Sequence, residues 1–340
     1  MAQHKIKPDR NLAMEMVRIT EAAAISAARY MGTGQKEAGD QAAVDAMRAV
    51  LDTVEVRGTV VIGEGEKDEA PMLFNGEKVG MGTGPEVDVA VDPVEGTNLM
   101  AFGRPNSIAV LAMSEAGSMW DPGDSFYMNK LVVAKEARDV IDIRKSPAEN
   151  LYAIAKAQDR DVRDLTVFIL EKERHRDLIA DVRSTGARIS LHTDGDVMGG
   201  LMATIPGTGV DVLMGVGGTP EGVITAAAVK AMGGGMQAIR APQLPEEREK
   251  LAAGNVDLNQ ILGLDDLIKA DDAFFAATGI TGGSFLEGVH FDRESGVTTH
   301  SIVIRALTGS IRYIKGVHQL NRPMDFKNRD IDGTHGLEAL

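Results

Sequence analysis

The first half of the chain alternates between helical and strand-like hydrophobic patterns. Residues 11–31 carry apolar side chains at helical spacing and end at glycine, which predicts an amphipathic helix. A second helix is expected to begin at Asp40, whose side chain suits the N-cap position. Short apolar runs at residues 57–62 and 106–113 then predict two strands.

A further strand is predicted just before a group of polar residues, in the segment 86–97. Valines alternate along it, and Pro93 is expected to end the strand because proline cannot continue a sheet ladder. Asp92, Glu95 and Thr97 then fall within six residues, on a tight turn. Such a group is either ordinary turn chemistry or a set of oxygen ligands for divalent cations, and the segment alone leaves both interpretations open.

A second acidic segment follows the predicted strand at residues 57–62. Glu64, Glu66, Asp68 and Glu69 fall within six positions. A run of charges is most often a solvated loop, but ligands in α/β folds bind where strands end. Two acidic strand ends in one part of the chain favour a shared metal site.

A change of composition near residue 145 predicts a boundary between two domains. Ser146 and Glu149 form a capping box around Pro147, which predicts the start of a helix. We therefore expect an α+β domain over residues 1–145 and an α/β domain over residues 146–340. In the second domain strands and helices alternate, which is typical of a sheet with parallel strands. The strands are expected at residues 165–170, 187–191, 210–214, 273–278, 298–306 and 310–318, and the helices at residues 175–184 and 221–232.

Three predicted loops of the second half carry residues suited to ligand binding. Lys172 and Arg174 open a helix, where two cations and free backbone N–H groups favour a phosphate, although solvated charge is the other interpretation. The Asp-Gly-Asp segment at 194–196 can orient hydroxyls or form a plain turn. The glycine-rich segment 215–222 places Glu221 at a helix start, as a dipole-favoured acid or as a metal ligand. It matches neither a Walker loop nor a dinucleotide fingerprint, which argues against nucleotide binding.

Composition narrows the class of function. With 36 basic and 50 acidic residues the net charge is −14, which argues against binding to nucleic acid or to anionic membranes. A phosphorylated substrate would then need a local cluster of lysine or arginine, or a metal ion. The sequence has no cysteine, so disulfides and thiolate chemistry are excluded. No apolar run suits a signal peptide or a membrane span, so we expect a soluble cytoplasmic enzyme.

Five short motifs, in their order along the chain, resemble one family. They are Lys-Glu-Ala-Gly-Asp ending at Asp40, Val-Ile-Gly-Glu-Gly-Glu ending at Glu66, Asp-Pro-Val-Glu-Gly-Thr ending at Thr97, Thr-Asp-Gly-Asp ending at Asp196, and Gly-Gly-Thr-Pro-Glu-Gly ending at Gly222. The set is similar to the lithium-sensitive, metal-dependent phosphatase superfamily. Within it the sequence most resembles the class II bacterial fructose-1,6-bisphosphatases, from residue 11 to about residue 318.

Two departures from the superfamily pattern refine this resemblance. Relatives of the inositol monophosphatase type carry a further metal-binding aspartate after a tryptophan in the second domain, whereas here Trp120 and Asp121 lie too early in the chain. Glu221 fills that role, as in the class II enzymes. Glu95 stands where many relatives have aspartate, which leaves the preference between Mg²⁺ and Mn²⁺ open.

The resemblance implies a fold and two sets of ligand-binding residues. The fold is a layered α/β/α/β sandwich of the sugar phosphatase/inositol monophosphatase type, and the cofactors are two or more Mg²⁺ or Mn²⁺ ions. The implied metal ligands are Asp40, Glu64, Asp92, Glu95 and Glu221. The implied substrate-binding residues are Glu95, Gly96, Thr97, Tyr127, Lys172, Glu173, Arg174, Asp194, Gly195, Asp196 and Gly218. Without the resemblance, Tyr127 would be predicted as an aromatic residue of an edge strand.

Catalytic roles are implied for four residues. Thr97 orients or deprotonates the attacking water in this scheme, and Asp68 or Glu66 accepts the proton. Lys36 is expected near the scissile phosphate, because phosphoryl transfer depends mainly on positioning and on charge stabilisation.

The implied reaction is hydrolysis of the 1-phosphate of D-fructose 1,6-bisphosphate to give D-fructose 6-phosphate and phosphate, a step of gluconeogenesis. Sedoheptulose-1,7-bisphosphatase activity, sole or additional, is the first alternative. An inositol or nucleotide monophosphatase is disfavoured by the missing aspartate motif, and a catalytically silent sugar-phosphate sensor by the complete acidic set. The resemblance also suggests a homodimer or homotetramer, and the net charge predicts no nucleic-acid or membrane partner.

Overall fold

The computed structural model describes residues 11–63, 73–292 and 296–319. Within these ranges the helices are α1 Leu12–Ala28, α2 Lys36–Leu51, α3 Thr97–Ala101, α4 Pro147–Ala157, α5 Arg176–Ser184, α6 Val197–Thr204, α7 Thr219–Met232, α8 Pro245–Ala253 and α9 Leu264–Leu267. The strands are β1 Arg57–Ile62, β2 Lys78–Val79, β3 Glu86–Glu95, β4 Ile108–Glu115, β5 Tyr127–Val133, β6 Thr166–Leu170, β7 Arg188–His192, β8 Val212–Gly218, β9 Gly235–Arg240, β10 Leu262–Gly263, β11 Ala273–Gly279, β12 His290–Asp292, β13 Gly296–Arg305 and β14 Ser310–His318. Most predicted elements are confirmed within a few residues.

The strands form two mixed sheets. Sheet 1 has the order β12-β13-β11-β4-β3-β1-β2, and β14 also pairs with β13. Sheet 2 has the order β10-β9-β5-β8-β6-β7. In sheet 2 the strands β6, β7 and β8 are parallel as predicted, whereas β5 runs antiparallel to both β8 and β9. The expectation of a parallel sheet is therefore wrong for half of sheet 2, because β5 enters it from earlier in the chain, in the opposite direction.

The sheets do not follow the boundary predicted near residue 145. Strand β5 precedes that boundary and lies in sheet 2, while β11, β12, β13 and β14 follow it and complete sheet 1. The chain thus crosses from one sheet to the other and returns. The division into residues 1–145 and 146–340 stays a prediction.

Helices and sheets alternate as layers through the molecule. Helices α1 and α2 cover the outer face of sheet 1, and α6 and α7 lie between the two sheets. Helices α4 and α5 cover the outer face of sheet 2 and enclose a separate apolar core. This confirms the layered α/β fold, and it adds a fifth layer to the four that the resemblance implies.

Helix α7 packs against both sheets at once. It contacts β3, β4, β11 and β13 on one side and β5, β8 and β9 on the other. Apart from Glu221 in its first turn and Lys230 in its last, its residues are apolar or small on every face, which is typical of a helix buried on all sides. Because Thr219 is its first residue, Glu221 lies in the first turn, at the level where β3 and β8 end.

Asp40 does not cap a helix. Helix α2 begins one turn earlier, at Lys36, and Gln35 occupies the N-cap position. The predicted N-cap role of Asp40 is therefore wrong, because the residues from Lys36 to Gly39 already adopt helical geometry. Asp40 instead projects from the second turn of α2.

Strand β3 continues past Pro93 to Glu95, so the predicted strand end is wrong. The pairing of β3 with β4 shifts between Asp92 and Glu95, which marks a bulge, and the pairing with β1 already stops at Ala90. A proline is tolerated at a bulge because no ladder hydrogen bond requires its missing N–H.

Tyr127 does not lie on an edge strand. It is the first residue of β5, which is paired on both sides, with Tyr127 opposite Gly218 of β8. The edge-strand prediction is wrong because β9 pairs with the other side of β5, and local sequence cannot show such a pairing.

Among the described helices, none is both long and apolar enough to cross a membrane.

Candidate active site

Three acidic side chains converge between the end of β3 and the start of α7. Asp92, Glu95 and Glu221 each offer a carboxylate oxygen, and these oxygens lie within 4.8 Å of one another. Glu95 is only 5% exposed, and the other two side chains are half-buried. We name these three residues the acidic group.

The bulge in β3 gives the acidic group its shape. The backbone N–H of Val94 donates to Oδ1 of Asp92 at 3.0 Å, and the hydroxyl of Ser107 donates to the carbonyl of Glu95 at 3.1 Å. Gly96 follows with φ of 80°, in the left-handed region that favours glycine, and turns the chain into α3. Asp92 and Glu95 therefore lie on the same side of the strand end, although a regular strand would place residues three apart on opposite faces.

Burial and the repulsion of nearby carboxylates disfavour the ionised forms of Glu95 and Glu221. The pKa of Glu95 is raised to about 8, mainly by burial and then by the charges of Glu221 and Asp196, against a hydrogen bond from the N–H of Val197. Burial also raises the pKa of Glu221, while Lys130 lowers it. Oε2 of Glu221 is buried and has no hydrogen-bond partner. A buried carboxylate oxygen without a partner is costly, and a cation would remove that cost.

The donor set fits a hard divalent cation. Mg²⁺ and Mn²⁺ prefer carboxylate oxygens, and three of them close together, one lacking any partner, meet that preference. Asp92, Glu95 and Glu221 could therefore hold such an ion.

The acidic group lines a cavity of about 350 Å³, which we name the acidic cavity. Other predicted site residues share its wall: Lys36, Asp40, Gly96, Thr97 and Asp194. Burial raises the pKa of Asp40, and Lys36 opposes that rise. Within the described ranges, Asp40 lines the cavity without joining the acidic group. The predicted residues Glu64, Glu66 and Asp68 lie outside the described residues.

A second cavity of about 550 Å³ adjoins the first, and we name it the distal cavity. The two cavities share four lining residues: Glu95, Asp194, Pro220 and Glu221. The distal cavity is also lined by the predicted substrate-binding residues Tyr127, Lys172, Arg174, Gly195, Asp196 and Gly218. Two cations thus face one end of a continuous space, and the acidic group faces the other.

The cationic end of the distal cavity is held by contacts to β8. The guanidinium of Arg174 lies over the ring of Tyr127 at 5.4 Å and donates from Nε and Nη2 to the carbonyl of Val216, at 3.1 and 2.9 Å. Glu173, also predicted to bind substrate, is not among the lining residues of either cavity. Its carboxylate pairs with Arg176 at the surface.

The Asp-Gly-Asp segment after β7 forms the wall between the two ends. Asn98 donates to Oδ2 of Asp194 at 3.1 Å. Asp196 is buried, and its Oδ2 lies 2.5 Å from Nζ of Lys130. The segment is thus tied both to α3 and to the middle of sheet 2.

Sequence reasoning missed two residues that support these cavities. Lys130 is buried under the distal cavity. The only sign of this in the sequence was the presence of a lysine in the otherwise mostly apolar strand β5. Glu247 is also fully buried, and it accepts hydrogen bonds from the backbone N–H groups of Phe126, Tyr127 and Gln243. In the sequence Glu247 is one of several acids in a charged helix, so nothing distinguished it.

Known proteins similar to this chain point to one family. The family model described as bacterial fructose-1,6-bisphosphatase, glpX-encoded, matches residues 10–318. A protein of Prochlorococcus marinus (strain NATL1A), named D-fructose 1,6-bisphosphatase class 2/sedoheptulose 1,7-bisphosphatase, is 42% identical over 91% of this chain and 96% of its own length. A protein of the same name from Thermosynechococcus vestitus is 40% identical over 93% of this chain and 98% of its own length. A protein from Acaryochloris marina, whose name is the same with a final 2, is 40% identical over 93% of this chain and 97% of its own length.

The family match spans both sheets and every described residue of the two cavities. The similarity therefore covers the fold and the site together. The chain belongs to the family of glpX-encoded bacterial fructose-1,6-bisphosphatases.

Proposed function

We propose that this chain is a phosphoric monoester hydrolase that removes the 1-phosphate of D-fructose 1,6-bisphosphate and releases D-fructose 6-phosphate and phosphate. One observation carries the proposal: the acidic cavity and the distal cavity, with Lys172 and Arg174, are joined through Glu95 and Glu221. A sugar with a phosphate at each end matches that distribution of charge. The names of the relatives, which include fructose 1,6-bisphosphatase, support the same reaction.

Two or more Mg²⁺ or Mn²⁺ ions are the proposed cofactors. Asp92, Glu95 and Glu221 would hold one ion, and Asp40, which lines the same cavity, would contribute to the binding of another. Bound ions of this kind lower the pKa of water and neutralise charge on the leaving oxygen. Glu64 is proposed as a further ligand on the resemblance alone.

The chain's own residues bind and orient the substrate. Lys172 and Arg174 hold the remote phosphate, and the binding energy gained there aligns the reacting phosphate with the acidic cavity. The hydroxyl of Thr97, at the start of α3, orients the attacking water. Lys36, which also lines the acidic cavity, neutralises charge on the scissile phosphate, and Asp194 and Asp196 accept hydrogen bonds from sugar hydroxyls.

Sedoheptulose 1,7-bisphosphate is the second candidate substrate. Three relatives carry both activities in their names, and the lining of the distal cavity includes the partly exposed side chains of Phe126 and Leu244. A substrate longer by one carbon needs room at that end.

We also propose that the protein is cytoplasmic and forms a homodimer or homotetramer.

Phosphate release tests the proposed function. We would remove metal with a chelator, add Mg²⁺ or Mn²⁺, and supply fructose 1,6-bisphosphate, sedoheptulose 1,7-bisphosphate or inositol monophosphate. We expect metal-dependent release from the two bisphosphates and little from the monophosphate, because the monophosphate leaves Lys172 and Arg174 without a partner. No release from either bisphosphate with either metal would refute the proposal.

A further inference from the structure

Lys130 is a charged side chain in the interior of sheet 2. It lies in the middle of β5, between β8 and β9, and is 1% exposed. The next three residues of the strand are apolar and buried. Burying an ammonium group is costly unless it is paired and hydrogen-bonded, so the contacts of Lys130 carry information about its role.

The ammonium of Lys130 makes two contacts that join separate parts of the site. Its Nζ lies 2.5 Å from Oδ2 of Asp196 and donates to the carbonyl of Gly218 at 2.9 Å. Asp196 ends the segment that lines the distal cavity and directly precedes α6. Gly218 directly precedes α7, whose first turn carries Glu221.

Two glycines lie close to the side chain of Lys130. A Cβ atom added at Gly217 would lie 1.9 Å from Oδ2 of Asp196 and 3.0 Å from Nζ of Lys130. A Cβ added at Gly222 would lie 2.3 Å from the sulfur of Met128 and 3.4 Å from Cδ of Lys130. The missing side chain at Gly217 therefore permits the close approach of Lys130 to Asp196, and the missing side chain at Gly222 makes room for Met128 beside the lysine.

Lys130 itself lines neither cavity, so it acts through its partners. Because Nζ of Lys130 pairs with Oδ2 of Asp196, the carboxylate of Asp196 is held in one orientation at the wall of the distal cavity. Because the same Nζ holds the carbonyl of Gly218, the first turn of α7 is fixed as well. Its positive charge also offsets one negative charge beside Glu95 and Glu221.

We propose that Lys130 is a positioning residue that couples the sugar-binding segment, through Asp196, to the metal-binding end of α7, through Gly218. This inference rests on the proposed function of the site. It assigns Lys130 no direct contact with substrate or metal. Removal of its ammonium should therefore weaken sugar binding and metal binding together.

The test replaces Lys130 with methionine, which has similar length and no charge. In the full-length protein we expect Lys130→Met to raise KM for fructose 1,6-bisphosphate by about 10- to 100-fold, the range found when groups that support ligands are removed. Titration with Mn²⁺ alone, followed by calorimetry, should show a Kd raised by ~10-fold or more. The matched control is Lys135→Met, because Lys135 is solvent-exposed just after β5. The control should leave both constants unchanged.

The outcomes separate this inference from the proposed function. A merely structural role would lower the fraction of active protein, and hence kcat, without moving KM or the Kd for Mn²⁺, and that result would overturn the inference. The Mn²⁺ titration needs no turnover, so it still tests Lys130 if the wild-type chain fails to hydrolyse the sugar bisphosphate. If Lys130→Met does not fold, Lys130→Arg replaces it, because a planar guanidinium keeps the charge but not the tetrahedral contacts. The same two constants should rise, and unchanged values would again overturn the inference.

Discussion

Glu95 accepts a hydrogen bond from the backbone N–H of Val197, with 2.9 Å between Oε1 and the nitrogen. The bond joins the end of β3, in sheet 1, to the first residue of α6, which lies between the two sheets. Glu95 also lines both cavities. The protonation state of this one carboxyl group therefore affects the stability of the fold as well as the binding of a cation.

The metal-free protein should lose stability as the pH rises from 5 to 8. The pKa of Glu95 is raised from its ordinary value of 4.5 to about 8, so over this window the folded state retains a proton that the unfolded state has released. The free energy of unfolding then falls with rising pH, and burial shifts the pKa of Glu221 and of Asp40 in the same direction. We expect the Tm of the metal-free protein to fall by several degrees, measured by thermal denaturation in a chelator.

Glu95→Gln is the control for this pH dependence, because the amide keeps an oxygen for Val197 and cannot ionise. The variant should show a smaller loss of Tm over the same window. Saturating Mn²⁺ should reduce the loss in the wild-type protein, because a bound cation stabilises the ionised carboxylates. A wild-type Tm that increases from pH 5 to pH 8 without metal would contradict the prediction.

Glu95→Gln should also lose more than ~100-fold in affinity for Mn²⁺, since groups that only support metal ligands contribute 10–100-fold to metal affinity.

Arg174→Ala should chiefly raise KM. The guanidinium lines the distal cavity and is already oriented by the carbonyl of Val216 and the ring of Tyr127, so little entropy is lost when a phosphate binds. A hydrogen bond to a charged group contributes about 1.5–3 kcal/mol, which corresponds to a rise in KM of roughly 10- to 100-fold. Steady-state kinetics with fructose 1,6-bisphosphate measures the change. The control is Arg176→Ala, since Arg176 lies two residues after Arg174 and pairs with Glu173 at the surface. Equal KM values for the two variants would rule out the assigned phosphate site.

Thr97→Val should lower kcat far more than it changes KM. Valine has nearly the same shape as threonine, so the start of α3 and the acidic cavity keep their form while the hydroxyl is lost. If the hydroxyl orients the attacking water, its loss raises the barrier of the chemical step by an amount typical of one positioned group, about 100-fold in kcat. Thr97→Ser, which restores the hydroxyl, is the matched control and should recover most of the rate. A change confined to KM would assign Thr97 to binding instead.

The sequence predicted those site residues whose positions follow from local sequence patterns. Asp92 and Glu95 lie at the end of a strand and Glu221 lies in the first turn of a helix, and those positions can be recognised from a few neighbouring residues. The role of Lys130 could not be predicted, because both of its partners are distant in the sequence. Gly218 is 88 positions away, and Asp196 also lies in a much later segment of the chain. Likewise the return of β11–β14 to sheet 1 depends on pairing between distant strands, which no local periodicity encodes.

Glu247→Gln should destabilise the protein and weaken substrate binding together. The buried carboxylate accepts from the N–H groups of Phe126 and Tyr127 through Oε1, at 2.7 and 2.8 Å, and from the N–H of Gln243 through Oε2, at 2.8 Å. An amide offers one acceptor oxygen, so its NH₂ group would face at least one of these donors.

Donors left unpaired in the interior cost about 1–3 kcal/mol each, and Tyr127, which lines the distal cavity beside Arg174, would lose its fixed backbone. We expect Glu247→Gln to lower Tm by several degrees and to raise KM several-fold, with kcat changing less. The neighbouring Glu246→Gln makes the same chemical change at an exposed position of α8 and should leave both quantities unchanged. If the two variants behave alike in denaturation and in kinetics, the buried carboxylate does not hold Tyr127 in place.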